Sequence, residues 1–188
     1  MTKNKTINIG AHSAQFADLN VKGEQMKIDG ESFYKISNVN GMRPFFMSIV
    51  SHSNHWMFIS STGALSAGRK DSDAALFPYY TDDKITDSFE TTGSKSIFLV
   101  EKNGQTFLWE PFSLRQASLY KISRNLYKNA FGNKVIFEEI NHDLEVRFTY
   151  EWNSTDRYGF VRKSSLSNTA ASAVKVQFID GIQNVLPY

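Results

Sequence analysis

The residues best suited to chemistry lie close together in segment 53–85. An aromatic stretch at 56–61 turns at Thr62-Gly63 into a stretch of small residues at 64–68. Proteins hold sugars by laying flat aromatic rings on C–H faces and by pairing hydroxyls with groups such as Arg and Asp. Residues of these types follow at once, and we take them as candidate sugar ligands: Arg69, Asp71, Tyr79, Tyr80, Asp82 and Asp83.

A plainer interpretation of the same segment stays open. Its aromatic residues, Trp56, Phe58, Phe77 and Tyr79, are of the kind that fill protein cores. Arg69 would then simply pair with Asp71. Composition alone does not separate these two interpretations.

Two pairs of adjacent carboxylates, Asp82-Asp83 and Glu138-Glu139, could suggest acid–base chemistry. Neighbouring side chains on a strand point to opposite faces, so adjacency alone does not form a catalytic pair. A glycosidase would need two carboxyl groups about 5–9 Å apart across a cleft. We therefore interpret both pairs as solvated loop or turn residues, and a hydrolase is the least favoured function.

Metal and cofactor signatures are weak. His52 and His55 stand three residues apart beside Asn54, and we interpret them as surface loop residues without a metal. Phosphate-loop, dinucleotide-binding, nucleophile-elbow and zinc-protease motifs do not occur, so no cofactor is predicted. The chain has 0 Cys, which excludes disulfides and thiolate ligands.

The charge balance argues against two classes of partner. Lys plus Arg number 21 and Asp plus Glu number 19, without basic runs, so nucleic acid is not expected. No apolar run approaches the roughly 20 residues that a membrane helix needs. Residues 1–16 lack a signal-peptide pattern, which together with the missing cysteines indicates a cytoplasmic location and leaves secretion open.

Turn dipeptides between alternating stretches predict the elements that would position these residues. Asp29-Gly30 separates stretches 25–28 and 31–36, and Asn103-Gly104 separates 94–102 and 105–109. Both dipeptides accept positive φ and so predict tight hairpins. Residues 141–143 separate 134–140 from 144–152, where Leu144, Val146, Phe148, Tyr150 and Trp152 would share one buried face.

Aromatic residues make up 14% of the chain, which favours β-structure. Further strands are predicted at 45–50, 118–127, 157–165 and 173–180, with a long loop at 71–87. Residues 1–20 read as an N-terminal arm with a short strand at 6–9, and 21–188 as one domain. The prediction is an all-β fold: a two-sheet antiparallel β super-sandwich of roughly a dozen strands, with little or no helix.

Three stretches resemble the N-terminal domain of the cellobiose and chitobiose phosphorylase family. The first is WMFISSTGALSAGR at 56–69 with the loop KDSDAALFPYY at 70–80. The second is 157–168, an Arg-containing strand ending in Leu-Ser-Asn, with the Val-rich strand 173–180. The third is DGIQNVLPY at 180–188.

The resemblance implies a β super-sandwich followed by a linker and an (α/α)6 barrel that carries the catalytic acid and the phosphate site. The sandwich packs on the barrel, supports a homodimer and can edge the sugar site with its loops. The family's catalytic residues have no counterpart in this sequence. We expect a non-catalytic accessory domain of a larger glycoside phosphorylase or hydrolase-like enzyme, ending here before its barrel.

Two other functions remain open. The chain could be a stand-alone carbohydrate-binding, lectin-like module that uses the 69–83 loop. It could also be a structural or oligomerising domain whose exposed aromatic loop contacts a partner protein.

Overall fold

The computed structural model describes residues 5–16 and 19–187. Within them the chain forms fourteen strands, one short α-helix and two 3-10 turns. The strands are β1 (Lys5–Ile9), β2 (His12–Phe16), β3 (Lys22–Ile28), β4 (Glu31–Ser37), β5 (Phe46–Ile49), β6 (His55–Ser60), β7 (Leu65–Arg69), β8 (Gly93–Lys102), β9 (Gln105–Trp109), β10 (Ile122–Asn129), β11 (Lys134–Asn141), β12 (Val146–Thr155), β13 (Gly159–Asn168) and β14 (Lys175–Gln183). The 3-10 turns are Val39–Gly41 and Ser72–Ala74, and helix α1 is Asp82–Asp87.

One layer is a six-stranded antiparallel sheet in the order β13-β12-β11-β10-β4-β3. Its centre follows the predicted period of two, because five alternating residues are each 4% exposed or less: Leu144, Val146, Phe148, Tyr150 and Trp152. A slip of one residue would turn these large groups into solvent, so burial fixes the register of β12.

Two three-stranded sheets form the opposite layer, in the orders β14-β8-β9 and β5-β6-β7. Phe98 of β8 packs on Phe148 of β12, with ring centroids 5.1 Å apart. The two small sheets come together where Gly93 approaches the β6–β7 turn: a Cβ on Gly93 would lie 3.0 Å from the carbonyl oxygen of Gly63.

A single core joins the layers. Ile59 and Leu65 from β6 and β7, Val100 from β8 and Val135 from β11 are each at most 1% exposed and belong to one apolar cluster. The fold is therefore an all-β sandwich, as the sequence predicts.

The predicted hairpin turns are confirmed. Asp29 and Gly30 have φ of 50° and 85°, and Asn103 and Gly104 have 52° and 73°. Positive φ at both central residues is the type I′ requirement that these dipeptides satisfy. The strand predicted at 6–9 lies within β1, which pairs with β2, a strand the sequence analysis did not identify.

The predicted loop at 71–87 and the predicted start of the strand at 118 are wrong. The segment 71–87 is not an uninterrupted loop, because it contains the second 3-10 turn and α1. Strand β10 begins at Ile122 rather than at 118, since the backbone turns back at Ala117 and Leu119, whose amides donate to Leu114 and Gln116. Within the described ranges no helix has the length and apolar character needed to cross a bilayer.

Strand β14 lies at the edge of its sheet and pairs only with β8 among the described residues. Phe178 and Ile179 at its middle are 65% and 74% exposed. The opposite edge strand, β13, reaches it through Arg162, which donates two hydrogen bonds to Asp180 at 2.9 and 2.7 Å. An ion pair therefore joins the edge strands of the two layers on this side of the sandwich.

Candidate functional site

The outer face of β6 presents an aromatic platform, which we define as Trp56, Phe58 and Tyr79. The ring centroid of Trp56 lies 6.0 Å from that of Phe58 and 5.5 Å from that of Tyr79. Phe58 and Tyr79 are 41% and 57% exposed, whereas Trp56 is half-buried. Phe77, the fourth aromatic residue considered from the sequence, is buried in the core instead.

Gly68 allows this platform to form. It stands opposite Trp56 in the β6–β7 pair. A Cβ at Gly68 would lie 2.5 Å from Cζ2 of Trp56 and 2.7 Å from the carbonyl oxygen of Ala74. The missing side chain therefore lets both the indole ring and the 72–75 turn lie directly on β7.

Arg69 and Asp71 do not form the ion pair of the plainer interpretation. Asp71 Oδ1 accepts a hydrogen bond from the Asp73 amide at 3.1 Å and so caps the 3-10 turn. Its carbonyl oxygen accepts from Trp56 Nε1 at 3.2 Å, which fixes the indole. Arg69 is exposed and makes no ion pair with any described residue. It stands opposite His55 in the β6–β7 pair, so strand alternation directs its side chain away from the face that carries Trp56.

The remaining three candidates lie further along the same loop. Tyr80 is 45% exposed. Asp82 and Asp83 occupy the first turn of α1. A hydrogen bond from the Thr81 hydroxyl lowers the pKa of Asp83. The Asp83 carboxylate therefore acts as a hydrogen-bond acceptor in the first turn of the helix. The structure brings Tyr79 to Trp56, while in the described part of the chain no hydrogen bond joins Asp82 or Asp83 to the platform residues.

Glu138 and Glu139 are not solvated loop residues, which corrects the sequence interpretation. Both lie on β11 and are 7% and 1% exposed. They point to opposite faces, as alternation requires, so they cannot act together on one bond. Glu138 Oε1 accepts from Asn125 Nδ2 and from the Tyr127 hydroxyl, each at 2.7 Å. Burial is the largest cause that raises the pKa of Tyr127, and the hydrogen bond to Glu138 is the second. The phenol therefore stays protonated.

Glu139 organises the interior between the layers. Its carboxylate accepts from Trp109 Nε1 at 2.9 Å, from the Phe112 amide at 2.7 Å and from Arg124 Nε at 2.6 Å. Arg124 is 7% exposed and also donates from Nη2 to the Ser113 carbonyl oxygen at 2.8 Å. A buried ion pair of this kind persists only when hydrogen bonds satisfy its remaining atoms.

Phe112 adopts a left-handed backbone conformation with φ of 66°. For a bulky residue this is strained and must be held by its surroundings. The Glu139 hydrogen bond to its amide does so, together with packing of its ring against Phe137 and Tyr150 at centroid distances of 6.3 and 5.2 Å. The loop after β9 is thus fixed by the core carboxylate.

The histidines considered as metal ligands have other surroundings. His55 Nδ1 lies 2.7 Å from the Ser53 hydroxyl, and its ring packs edge-on against Phe160. His52 is exposed. The part of the chain that the structure describes contains no group of three or more His, Cys, Asp or Glu side chains placed to hold a metal ion.

Comparison with known proteins adds no further assignment. The sequence matches no protein-family model, and no curated protein shows significant similarity to it.

Neither Arg124 nor Phe112 stands out in the sequence, and the sequence alone indicates Glu139 only as a solvated residue. A signal was present: Glu139 and Arg124 occupy inward positions next to Phe137 and Leu126 on their strands. Opposite charges within two apolar faces indicate a buried pair once the strands are paired. The contribution of Trp109 could not be foreseen, because it comes from the other layer.

Proposed function

We propose that this chain is an accessory β-sandwich domain of a carbohydrate-active enzyme, of the glycoside phosphorylase or hydrolase-like kind. It is not catalytic on its own, and its aromatic platform contacts the sugar. The catalytic partner is an (α/α)6 barrel of the same polypeptide, as the resemblance of stretches 56–80, 157–168 and 173–188 to phosphorylase N-terminal domains suggests.

The aromatic platform is the observation that carries this proposal. Two exposed rings flank a fixed indole, and exposed Arg69 and Asp71 follow on the adjoining β7 and loop. The C–H faces of a sugar stack on flat, rigid rings. Its hydroxyls need charged hydrogen-bonding groups at the edge of those rings. All residues of the platform belong to this one chain, so no second domain is needed to complete it. This also favours the second candidate, a carbohydrate-binding module that acts alone.

Glycan binding by the purified chain tests the sugar contact. We expect binding on a glycan array, followed by calorimetry with the best ligand, and a loss of about tenfold in affinity for Tyr79→Ala, equivalent to ~1.4 kcal/mol. Phe131→Ala is the matched control, because Phe131 is an 80% exposed ring on the β10–β11 turn. Absence of binding to every glycan, or equal losses in both variants, would contradict the proposal.

The reading frame that encodes this chain separates the two candidates. A helical barrel domain downstream of residue 188 supports the accessory domain. A frame that ends at 188, combined with glycan binding, supports the independent module.

A further inference from the structure

A pocket of about 220 Å³ opens between the layers, away from the platform. Its walls are mainly apolar and come from both layers and the loops between them, including Val39, Met42, Phe112, Leu114 and Phe137. The polar residues that line it are Asn40, Ser61, Thr62, Arg124 and Asn125. Val39 and Phe137 are buried, whereas Met42 and Leu114 are 41% and 59% exposed. The exposed pair marks where the pocket opens to solvent.

Arg124 also lines this pocket. Its Nε and Nη2 groups are committed to Glu139 and Ser113, but no described residue accepts a hydrogen bond from Nη1. Nη1 is not one of the fully buried side-chain atoms that lack a hydrogen-bond partner, so solvent reaches it, and a ligand that displaces this solvent must replace its hydrogen bond. Ser61 and Thr62 also line the pocket, but their hydroxyls form hydrogen bonds with the Phe45 amide and the Ser60 hydroxyl instead of with Nη1.

The charge of the site restricts the ligand. Arg124 is already neutralised by Glu139, at 2.6 Å between Nε and Oε2. An anionic ligand at Nη1 would bring a second negative charge close to the Glu139 carboxylate in a desolvated pocket, which is unfavourable. An uncharged oxygen acceptor meets the donor without that repulsion.

The size of the pocket restricts the ligand further. Ligand pockets for drug-sized molecules span roughly 300–1,000 Å³, and an apolar cavity of about 150 Å³ accommodates benzene. This pocket therefore suits one six-membered ring with a short substituent.

We propose that this interlayer pocket is a binding site for a small, uncharged cyclic compound with one carbonyl acceptor. The ring packs against Phe112, Phe137 and Val39, and the carbonyl oxygen accepts from Arg124 Nη1. The site lies apart from the aromatic platform, and its occupation does not depend on sugar binding.

Titration of the whole chain with acetophenone, followed by 1H–15N spectra, tests this site. We expect saturable shifts at Val39, Phe112, Leu114 and the Arg124 side chain, with a Kd on the order of 1 mM for so small a ligand. Ethylbenzene, which has the same ring but lacks the acceptor, should bind about fivefold more weakly because it leaves Nη1 unpaired. Equal binding of the two compounds, or shifts distributed elsewhere, would overturn the proposal.

Two variants complete the test without disturbing the ion pair. Met42→Trp should fill the opening and reduce acetophenone affinity about tenfold, while Phe131→Trp on the β10–β11 turn should leave it unchanged. Unaltered binding by Met42→Trp would refute the assignment, as would benzoate binding more tightly than acetophenone. A glycan titration of Met42→Trp should match that of the unsubstituted chain, which separates a failure here from a failure of the sugar proposal.

Discussion

Glu139 connects three parts of the molecule through one carboxylate. It receives Trp109 from β9, the Phe112 amide from the following loop and Arg124 from β10. Replacing it with Gln removes the charge that balances Arg124 while the cation stays buried. We expect Glu139→Gln to lower the free energy of unfolding by about 3–5 kcal/mol in a denaturant titration.

Glu145→Gln is the matched comparison for that measurement. Glu145 also forms an ion pair, with Lys102 at 2.7 Å, but its side chain is 48% exposed. Water and counterions screen such a pair, so the expected loss is at most about 1 kcal/mol. Losses of similar size in the two variants would mean that Glu139 does not hold the interior as described.

Individual residues also show which parts of the site the sequence does not predict. Arg69, Asp71 and Tyr79 are candidates because their types suit a sugar, and of these Asp71 and Tyr79 contact Trp56. The same reasoning interpreted Glu139 as a solvated loop or turn residue, because its adjacency to Glu138 does not form a catalytic pair. What gives Glu139 its partners is the cross-strand register with Arg124 and the approach of β9, and both are long-range facts.

At the scale of elements, the β6–β7 hairpin owes its outer surface to Gly68. A Cβ there would press on Trp56 and on the backbone of Ala74 and Ala75, the last at 2.8 Å from Cα. We expect Gly68→Ala to destabilise the fold by about 1–3 kcal/mol, as overpacking does, and to weaken glycan binding by displacing the indole. Thermal unfolding and glycan calorimetry measure the two effects.

Gly181→Ala provides the control at this scale. Gly181 lies in β14, and a Cβ there would meet no atom within 4 Å. The change should therefore leave stability within about 0.5 kcal/mol and glycan binding unaltered. If Gly68→Ala behaved in the same way, the close approach at β7 would be unimportant for the platform.

Elements were more predictable than site residues for a local reason. Asp29-Gly30 and Asn103-Gly104 specify their turns within two residues, and the alternation from Leu144 to Trp152 specifies a buried face. The start of β10 was misplaced because residues 118–121 continue an alternating pattern although the backbone there is turned. Helix α1 was missed because six residues are too few to show a helical period.

At the scale of the whole molecule, Arg162 and Asp180 hold the two layers together along one side. Partial burial would raise the pKa of Asp180, but hydrogen bonds from Arg162, Ser164 and Ser96 outweigh it and lower the pKa to about 2. An unfolded Asp has a pKa of about 3.9. A lowered folded-state pKa stabilises the protein above the unfolded value, and this stability is lost as pH falls through the folded value.

Acid titration of the unfolding free energy checks this linkage. Between pH ~4 and ~2 the free energy of unfolding of the unsubstituted chain should fall by roughly 1–2 kcal/mol. Asp180→Asn should not show this fall. Asp156→Asn, at an exposed turn after β12, should keep the full pH dependence. An identical acid profile for all three proteins would show that the Arg162–Asp180 pair does not stabilise the folded state.

The position of β14 has a consequence for the order in which the chain folds. Phe98 of β8 pairs with Phe178 of β14, and Lys35 of β4 with Tyr127 of β10, across long separations in sequence. Such pairings form slowly because a long loop must close before any contact is gained. During synthesis the β8 edge stays unpaired until β14 emerges, after the other thirteen described strands. A ribosome-bound chain that stops before 175 should therefore expose that apolar edge and aggregate or recruit chaperones, and addition of residues 175–183 should end this behaviour.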